Sequence, residues 1–194
     1  VMVHCSIRPN ISLRRGKPHL LAYVGVMGPQ DGVDQALLSL KELRQSRDDW
    51  RAIFMGDGAV VEEMRLLAAE LGIGDVVEFT GWVEQEVLNA HMRQAAVYVQ
   101  ASVHEGFGMS VAEAMLAGCI PVTTRAGALP EVVDDTGVQV DDGDPERLAA
   151  AIEQALARDE AARLEARQFV LDHFGMDVRR HGLQQVVGEA LGES

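Results

Sequence analysis

Short apolar runs alternate with amphipathic segments along this chain, and that alternation restricts the fold more than any other feature. HLLAYVGVM (19–27) reads as a buried strand running out into glycine. GVDQALLSLKELRQ (32–45) follows with helical spacing at Val33, Ala36, Leu37, Leu40 and Leu43. AIFMGDG (52–58), VVEFTG (76–81), VYVQAS (97–102), CIPVTT (119–124) and GVQV (137–140) read as further strands. VVEEMRLLAAELG (60–72), EQEVLNAHMRQA (84–95) and MSVAEAMLAG (109–118) read as helices, two of them closed by glycine. Leu129-Pro130-Glu131 reads as a helix start. Pro121 fits a strand only where the ladder needs no donor. Residues 144–174 read as one helical stretch, with Asp144 as cap and Pro145 at the first helical position. A last helix is expected from 176 to about 191, beyond Gly175.

This order predicts an α/β fold: a doubly wound, parallel, six-stranded sheet with helices on both faces. Residues 1–18, with Pro9, Asn10, Gly16 and Pro18, read as a linker from a preceding domain. Residues 19–175 form the expected domain and 176–194 a C-terminal helix. The opening VMVHCSIRPN has the character of mid-protein sequence, so a longer parent chain is expected. A net charge of -13 argues against a nucleic-acid partner, because phosphate contacts need a basic face. It also disfavours non-specific adhesion to anionic lipid. Cys5 and Cys119 match no metal or redox spacing and read as free thiols in a reducing compartment. No apolar run approaches the ~20 residues of a membrane span, so no transmembrane segment is expected.

Ligands of such sheets bind beyond the carboxyl ends of the strands, at the switch point of strand order. Three loops would meet there: GVMGPQDG, GDG and ASVHEGFG. The last runs into a helix at Met109, whose unpaired N–H groups and dipole favour an anion. Gly106 and Gly108 let a ligand approach the backbone, and Phe107 reads as exposed. Glu105 lies ahead of the helix and Glu113 about one turn inside it. Each is placed to accept hydrogen bonds from a different hydroxyl-bearing part of one long ligand. The plainer reading is also open: Ser110-Val111-Ala112-Glu113 matches a capping box, and Glu105 is then a solvated loop charge.

HEGFGMSVAEAMLAGCIPVTTRAGALPEVV resembles the E-x7-E region of retaining GT-B glycosyltransferases of the family-four, or group 1, type. FTGWVEQEVLNAHMRQAAVYVQAS before it and TGVQVDDGDPERLAAAIEQAL after it follow the family's order, and the similarity covers roughly 20–190. The resemblance implies the Rossmann-like, C-terminal, donor-binding half of a GT-B fold. It implies transfer of a sugar from a nucleoside-diphosphate sugar to an acceptor such as a glycan or lipid-linked saccharide. By the same resemblance Glu113 binds the ribose, and Glu105 contacts the donor sugar as the candidate catalytic residue. Backbone N–H groups of Phe107, Gly108, Met109 and Ser110 hold sugar hydroxyls and phosphate. Gly25 and Gly28 approach the diphosphate, and Gly81-Trp82-Val83 lies where the base is received. No metal and no other cofactor is implied. The acceptor domain is the missing N-terminal half, so this part alone should not turn over. The full-length protein is expected in the cytoplasm, peripheral to the inner membrane face.

One departure stands out. The family commonly carries an arginine and a lysine in the loop after strand one, and here those positions read Val26 and Asp31. Either backbone donors take the phosphate alone, or Arg125 or Arg93 supplies a cation. The alternative is a non-catalytic GT-B-like module that has lost donor affinity. Asp57 and His104 read as a turn aspartate and a loop histidine, and Cys119 as a buried apolar residue.

Overall fold

The computed structural model describes residues 19–175 and, beyond them, Val178, Arg180 and Gln184. The linker expected at 1–18 lies outside the described residues, as does nearly all of the helix expected from 176. Six parallel strands, β1 (His19–Val24), β2 (Trp50–Met55), β3 (Val77–Gly81), β4 (Ala95–Gln100), β5 (Ile120–Thr124) and β6 (Val138–Val140), stand in the order β3-β2-β1-β4-β5-β6. The helices are α1 (Val33–Ser46), α2 (Val61–Glu70), α3 (Gln85–Met92), α4 (Met109–Ala117), α5 (Leu129–Val133), α6 (Pro145–Leu156) and α7 (Glu160–Phe174). The expected doubly wound sheet is the one observed.

Strand alternation divides the core in two. Leu21, Tyr23, Ala52, Phe54, Val97 and Val99 face α1, α2 and α6. Ala22, Ile53, Met55 and Tyr98 face α3, α4, α5 and α7. Successive side chains leave a strand on opposite faces, so a sheet covered twice needs apolar residues at nearly every position. Tyr23, Phe54 and Phe79 stack across three strands, with centroids 5.4 and 5.0 Å apart.

Among the boundaries that differ from the sequence reading, three have a clear origin. β1 ends at Val24, and Gly25–Met27 already belong to the loop. β4 begins at Ala95, because Ala95 pairs with Leu20 and small residues carry no strand signal of their own. The single stretch expected over 144–174 is two helices. Asp159 caps α7 by accepting from Ala162 N–H at 3.0 Å, and Arg158 turns aside to donate to the carbonyls of Thr136 and Gly137 at 2.9 and 2.8 Å. Asp144 caps α6 as expected, accepting from Arg147 N–H at 3.0 Å. Pro121 is tolerated in β5 because pairing with β6 begins one residue later, at Val122 with Val138.

Helix α7 is fastened to the rest by arginine. Arg163 is buried and donates from Nε to Gly118 O and from Nη2 to Ala95 O, both at 2.6 Å. Arg167 donates to Leu116 O. These carbonyls include the orphans at the C-terminal end of α4, which a cation satisfies well. Burial lowers the Arg163 pKa, with nearby Cys119 and Glu160 opposing. Cys119 lies beneath it, its thiol 3.2 Å from Met92 O, and burial pushes that thiol up to about 12 while Arg163 pulls the other way.

A thiol whose pKa is higher folded than unfolded keeps its proton in the native state and loses it in the unfolded chain. Stability is therefore full below about pH 8.5 and falls as pH rises from there toward 12, by about 1.4 kcal/mol per pH unit. Urea unfolding of the wild type should show this loss between about pH 8.5 and 10, and Cys119→Ala should flatten that window. A second expectation concerns two left-handed glycines. Gly32 has φ 68° and a Cβ there would stand 1.9 Å from Ala101 O, whereas Gly72, at φ 70°, faces open space. Gly32→Ala should cost about 3 kcal/mol or more in urea unfolding, and Gly72→Ala about 1 kcal/mol.

Candidate functional site

Strand order reverses between β1 and β4. The chain leaving β1 enters α1 on one face of the sheet, and the chain leaving β4 enters α4 on the other. Where two connections diverge in this way, sheets of this kind open a crevice at the carboxyl edge. A buried polar ladder fixes both. The Tyr98 hydroxyl lies 2.9 Å from Val24 O and 2.8 Å from Gln100 Oε1, and Gln100 Nε2 donates to Ser102 Oγ at 2.6 Å. Ser102 Oγ reaches Asp31 O at 3.4 Å, and Thr124 Oγ1 donates to Ser102 O at 2.6 Å. Val103 N–H adds a backbone bond to Gln30 O at 3.0 Å. Burial pushes the Tyr98 phenol up; the Ser110 hydroxyl bonded to it works the other way.

The β4–α4 loop ends in Gly108, left-handed at φ 87° and buried. A Cβ there would stand 2.6 Å from Leu129 Cδ2, so only glycine brings α4 this close to α5. Gly108, not Ser110, is the N-cap, and no side-chain cap bond is present at this helix start. The Ser110–Glu113 capping box is therefore not formed. Glu105 instead folds its carboxylate back: Oε1 accepts from Gly106 N–H and Gly108 N–H, each at 3.1 Å. Glu105 is a loop clasp rather than a solvated charge. Three N–H groups of the first turn, those of Met109, Ser110 and Val111, find no acceptor among the described residues. They point out of the helix start with its positive dipole end.

Glu113 is half-buried on α4 and has a partner of its own. Phe107 is not exposed. It is half-buried, its ring edge-on to Phe174 of α7 at 5.3 Å and 80°, and this packing ties the loop to the second core. Gly127 brings the β5–α5 loop against the same segment, since a Cβ there would stand 1.7 Å from Glu105 O.

The loop after β1 is less open to a ligand. Gly25 N–H donates to Met55 O at 3.1 Å, and the Gly25 carbonyl packs on Gly56. Gly28 N–H donates to Asp31 Oδ2 at 2.7 Å. Both amides are thus engaged within the protein. Val26 is 73% exposed at the rim. Burial pushes the Tyr23 phenol up, and the Asp31 and Glu105 carboxylates push it further. Both carboxylates therefore lie within electrostatic reach of that buried hydroxyl.

Gly81, Trp82 and Val83 lie at the end of β3, three strand spacings or roughly 14 Å from β4. Trp82 is 70% exposed there, and Val83 packs on the second core. The structure thus aligns the sequence-predicted residues along one edge, with the β1 loop bonded both to the β4 loop, through Val103 N–H to Gln30 O, and to the β2 loop, through Met27 N–H to Asp57 O at 3.0 Å. Asp57 accepts from Gly58 N–H at 2.8 Å and shapes its own turn, and His104 is exposed. Arg125 is paired with Asp141 at 3.1 Å. It borders a cavity of about 610 Å³ beyond β4, β5 and β6, also lined by Gln35, Ser102, Thr124 and Asp142. Among the described residues, no cluster of three or more His, Cys, Asp or Glu is placed to hold a metal ion. Among the same residues, no helix is long and apolar enough to cross a membrane.

Sequence reasoning missed the Tyr98–Gln100–Ser102 ladder and the Asp31 clasp. The first had a signal: polar residues at every second position of the otherwise apolar AAVYVQAS. The second had none beyond an aspartate three residues after a glycine.

Residues 7–168 match the family model described as Glycosyl transferases group 1. The chain is 31% identical over 163 residues to the GDP-mannose-dependent alpha-(1-6)-phosphatidylinositol monomannoside mannosyltransferase of Mycobacterium tuberculosis, covering 79% of this chain and 42% of that protein. It is 30% identical over 182 residues to the GDP-mannose:cellobiosyl-diphosphopolyprenol alpha-mannosyltransferase of Xanthomonas campestris, covering 92% and 47%. The chain therefore spans less than half the length of these relatives. Among solved structures, the C-terminal domain of a glycosyl transferase group 1 family protein (LpcC) from Francisella tularensis superposes with TM-score 0.72 at 21% identity, over 82% of this chain and 89% of that one. With the matched model spanning most of its residues, this chain belongs to the group 1 glycosyl transferases and has the fold of their C-terminal domain.

Proposed function

We propose that this chain is the donor-binding half of a retaining glycosyltransferase, which moves a hexose-type sugar from a nucleoside-diphosphate sugar to an acceptor. One observation carries the reading: the uncapped N–H groups of Met109, Ser110 and Val111 at the switch point, between Glu105 and Glu113. A diphosphate set against them completes the helix start that the protein leaves open. Charge grows on that diphosphate as the bond to the sugar breaks, and fixed N–H dipoles stabilise it without rearranging. In this reading no metal ion is needed for the leaving group. Glu113 accepts from the ribose hydroxyls, and Glu105 stands on the sugar side. The base extends along the edge toward Gly81-Trp82-Val83.

Both named relatives carry GDP-mannose in their names, and their acceptors are lipid-linked. This favours a nucleotide-activated hexose and a lipid-linked saccharide as the substrate classes here. The acceptor is assigned to the remainder of a longer protein, with which this half forms the reaction cleft at the cytoplasmic membrane face. A non-catalytic module is the second reading, favoured by the engaged amides of Gly25 and Gly28 and by Val26 and Asp31 in the same loop.

Calorimetry with GDP, UDP and ADP separates the two. Binding of at least one in the millimolar range or tighter, unchanged by EDTA, is expected of the donor half; no binding by any of them favours the non-catalytic module. Glu113→Gln should weaken the bound nucleotide about tenfold, and weaken the corresponding nucleoside by the same factor, because the ribose contact is common to both. A loss confined to the diphosphate would contradict the ribose role.

A further inference from the structure

We infer that Asp31 is a specificity-determining residue, whose carboxylate holds down the affinity of the switch-point crevice for a nucleoside diphosphate without affecting the nucleoside. The inference rests on the donor-binding reading and concerns how the anionic part of that ligand is received. Asp31 lies in the loop after β1, which is joined to the end of β4 by its carbonyl, 3.4 Å from Ser102 Oγ. Its Oδ2 accepts from Gly28 N–H at 2.7 Å, which fixes the carboxylate in the loop. The amide that a phosphate oxygen would use there is already taken by an acid of the protein.

Charge makes the effect larger. Residues 25–32 contain no lysine or arginine, so nothing in the loop offsets Asp31. Arg125, at the neighbouring strand end, is paired with Asp141. Glu105 supplies a second carboxylate just ahead of α4, clasped on Gly106 and Gly108. Asp31 is half-buried, so water screens it only in part. A diphosphate seated on the α4 amides meets like charge in both carboxylates. The nucleoside, which carries no charge, meets neither.

The test compares the 194-residue chain with Asp31→Asn, which retains an oxygen acceptor for Gly28 N–H and removes the charge. Asp31→Ser serves as a second neutral variant. Calorimetry at low ionic strength would use GDP, UDP and ADP beside guanosine, uridine and adenosine. The expected result is a gain of about tenfold in diphosphate affinity for both variants, a nucleoside affinity within twofold of wild type, and a gain that shrinks in 0.5 M NaCl. Unchanged diphosphate affinity, with the nucleotide still bound, overturns the role of Asp31 and leaves the donor reading standing. Equal gains for nucleoside and diphosphate also overturn it, since they report a rearranged loop. Failure of every form to bind any nucleotide or nucleoside overturns both.

Discussion

Everything proposed for this domain depends on the fixed placement of one nine-residue helix, α4. Its start is set by Gly108, the residue that can be left-handed and still pass Leu129. Its end is held by Arg163 and Arg167, whose guanidinium groups reach the carbonyls of Gly118 and Leu116. Between them the helix packs into the second core through Val111, Ala112, Met115 and Leu116. A helix pinned at both ends cannot slide along the sheet. Its open first turn is therefore aimed at the switch point as a rigid feature. The ordering of the amides is completed when the domain folds and is not left for the ligand to impose.

The proposed anion site at the same edge is built from amides and not from cations. It has the dipole and N–H groups of α4, an acid in each of the β1 and β4 loops, and a chain whose net charge is -13. Glu105 satisfies Gly106 and Gly108, which would otherwise add to the orphaned donors. The arrangement leaves a narrow set of donors, on consecutive residues, as the place where an anion gains most. The tyrosine ladder beneath it contributes position and not charge. Burial holds Tyr23 and Tyr98 in their neutral forms, and their hydroxyls bind backbone carbonyls at the ends of β1 and of its loop.

Much of the fold could be read from the residues. A run such as AIFM signals a strand covered on both faces, and Asp144-Pro145 signals a helix start, because both depend on nearest-neighbour chemistry. The break at 157–159 was missed. Ala157 and Arg158 suit a helix interior, and Asp159 as a cap was overlooked inside an otherwise helical run; Arg158 also bonds the distant carbonyls of Thr136 and Gly137. Of the site, the helix start and the flanking glutamates were legible from Gly106, Gly108 and the onset of apolar spacing. The inward turn of Phe107 onto Phe174 and the folding back of Glu105 were not, because each is decided by a partner that no local pattern announces. The capping-box pattern at Ser110 misled for the opposite reason: the local motif was present, but Gly108 had already begun the helix.

The most direct measurement is a titration of the isotope-labelled chain with a nucleoside diphosphate, following backbone amide resonances. The account predicts the largest shifts at Met109, Ser110 and Val111, with smaller ones toward Trp82. Binding that left those three amides unmoved, with the perturbed residues elsewhere on the domain, would contradict it.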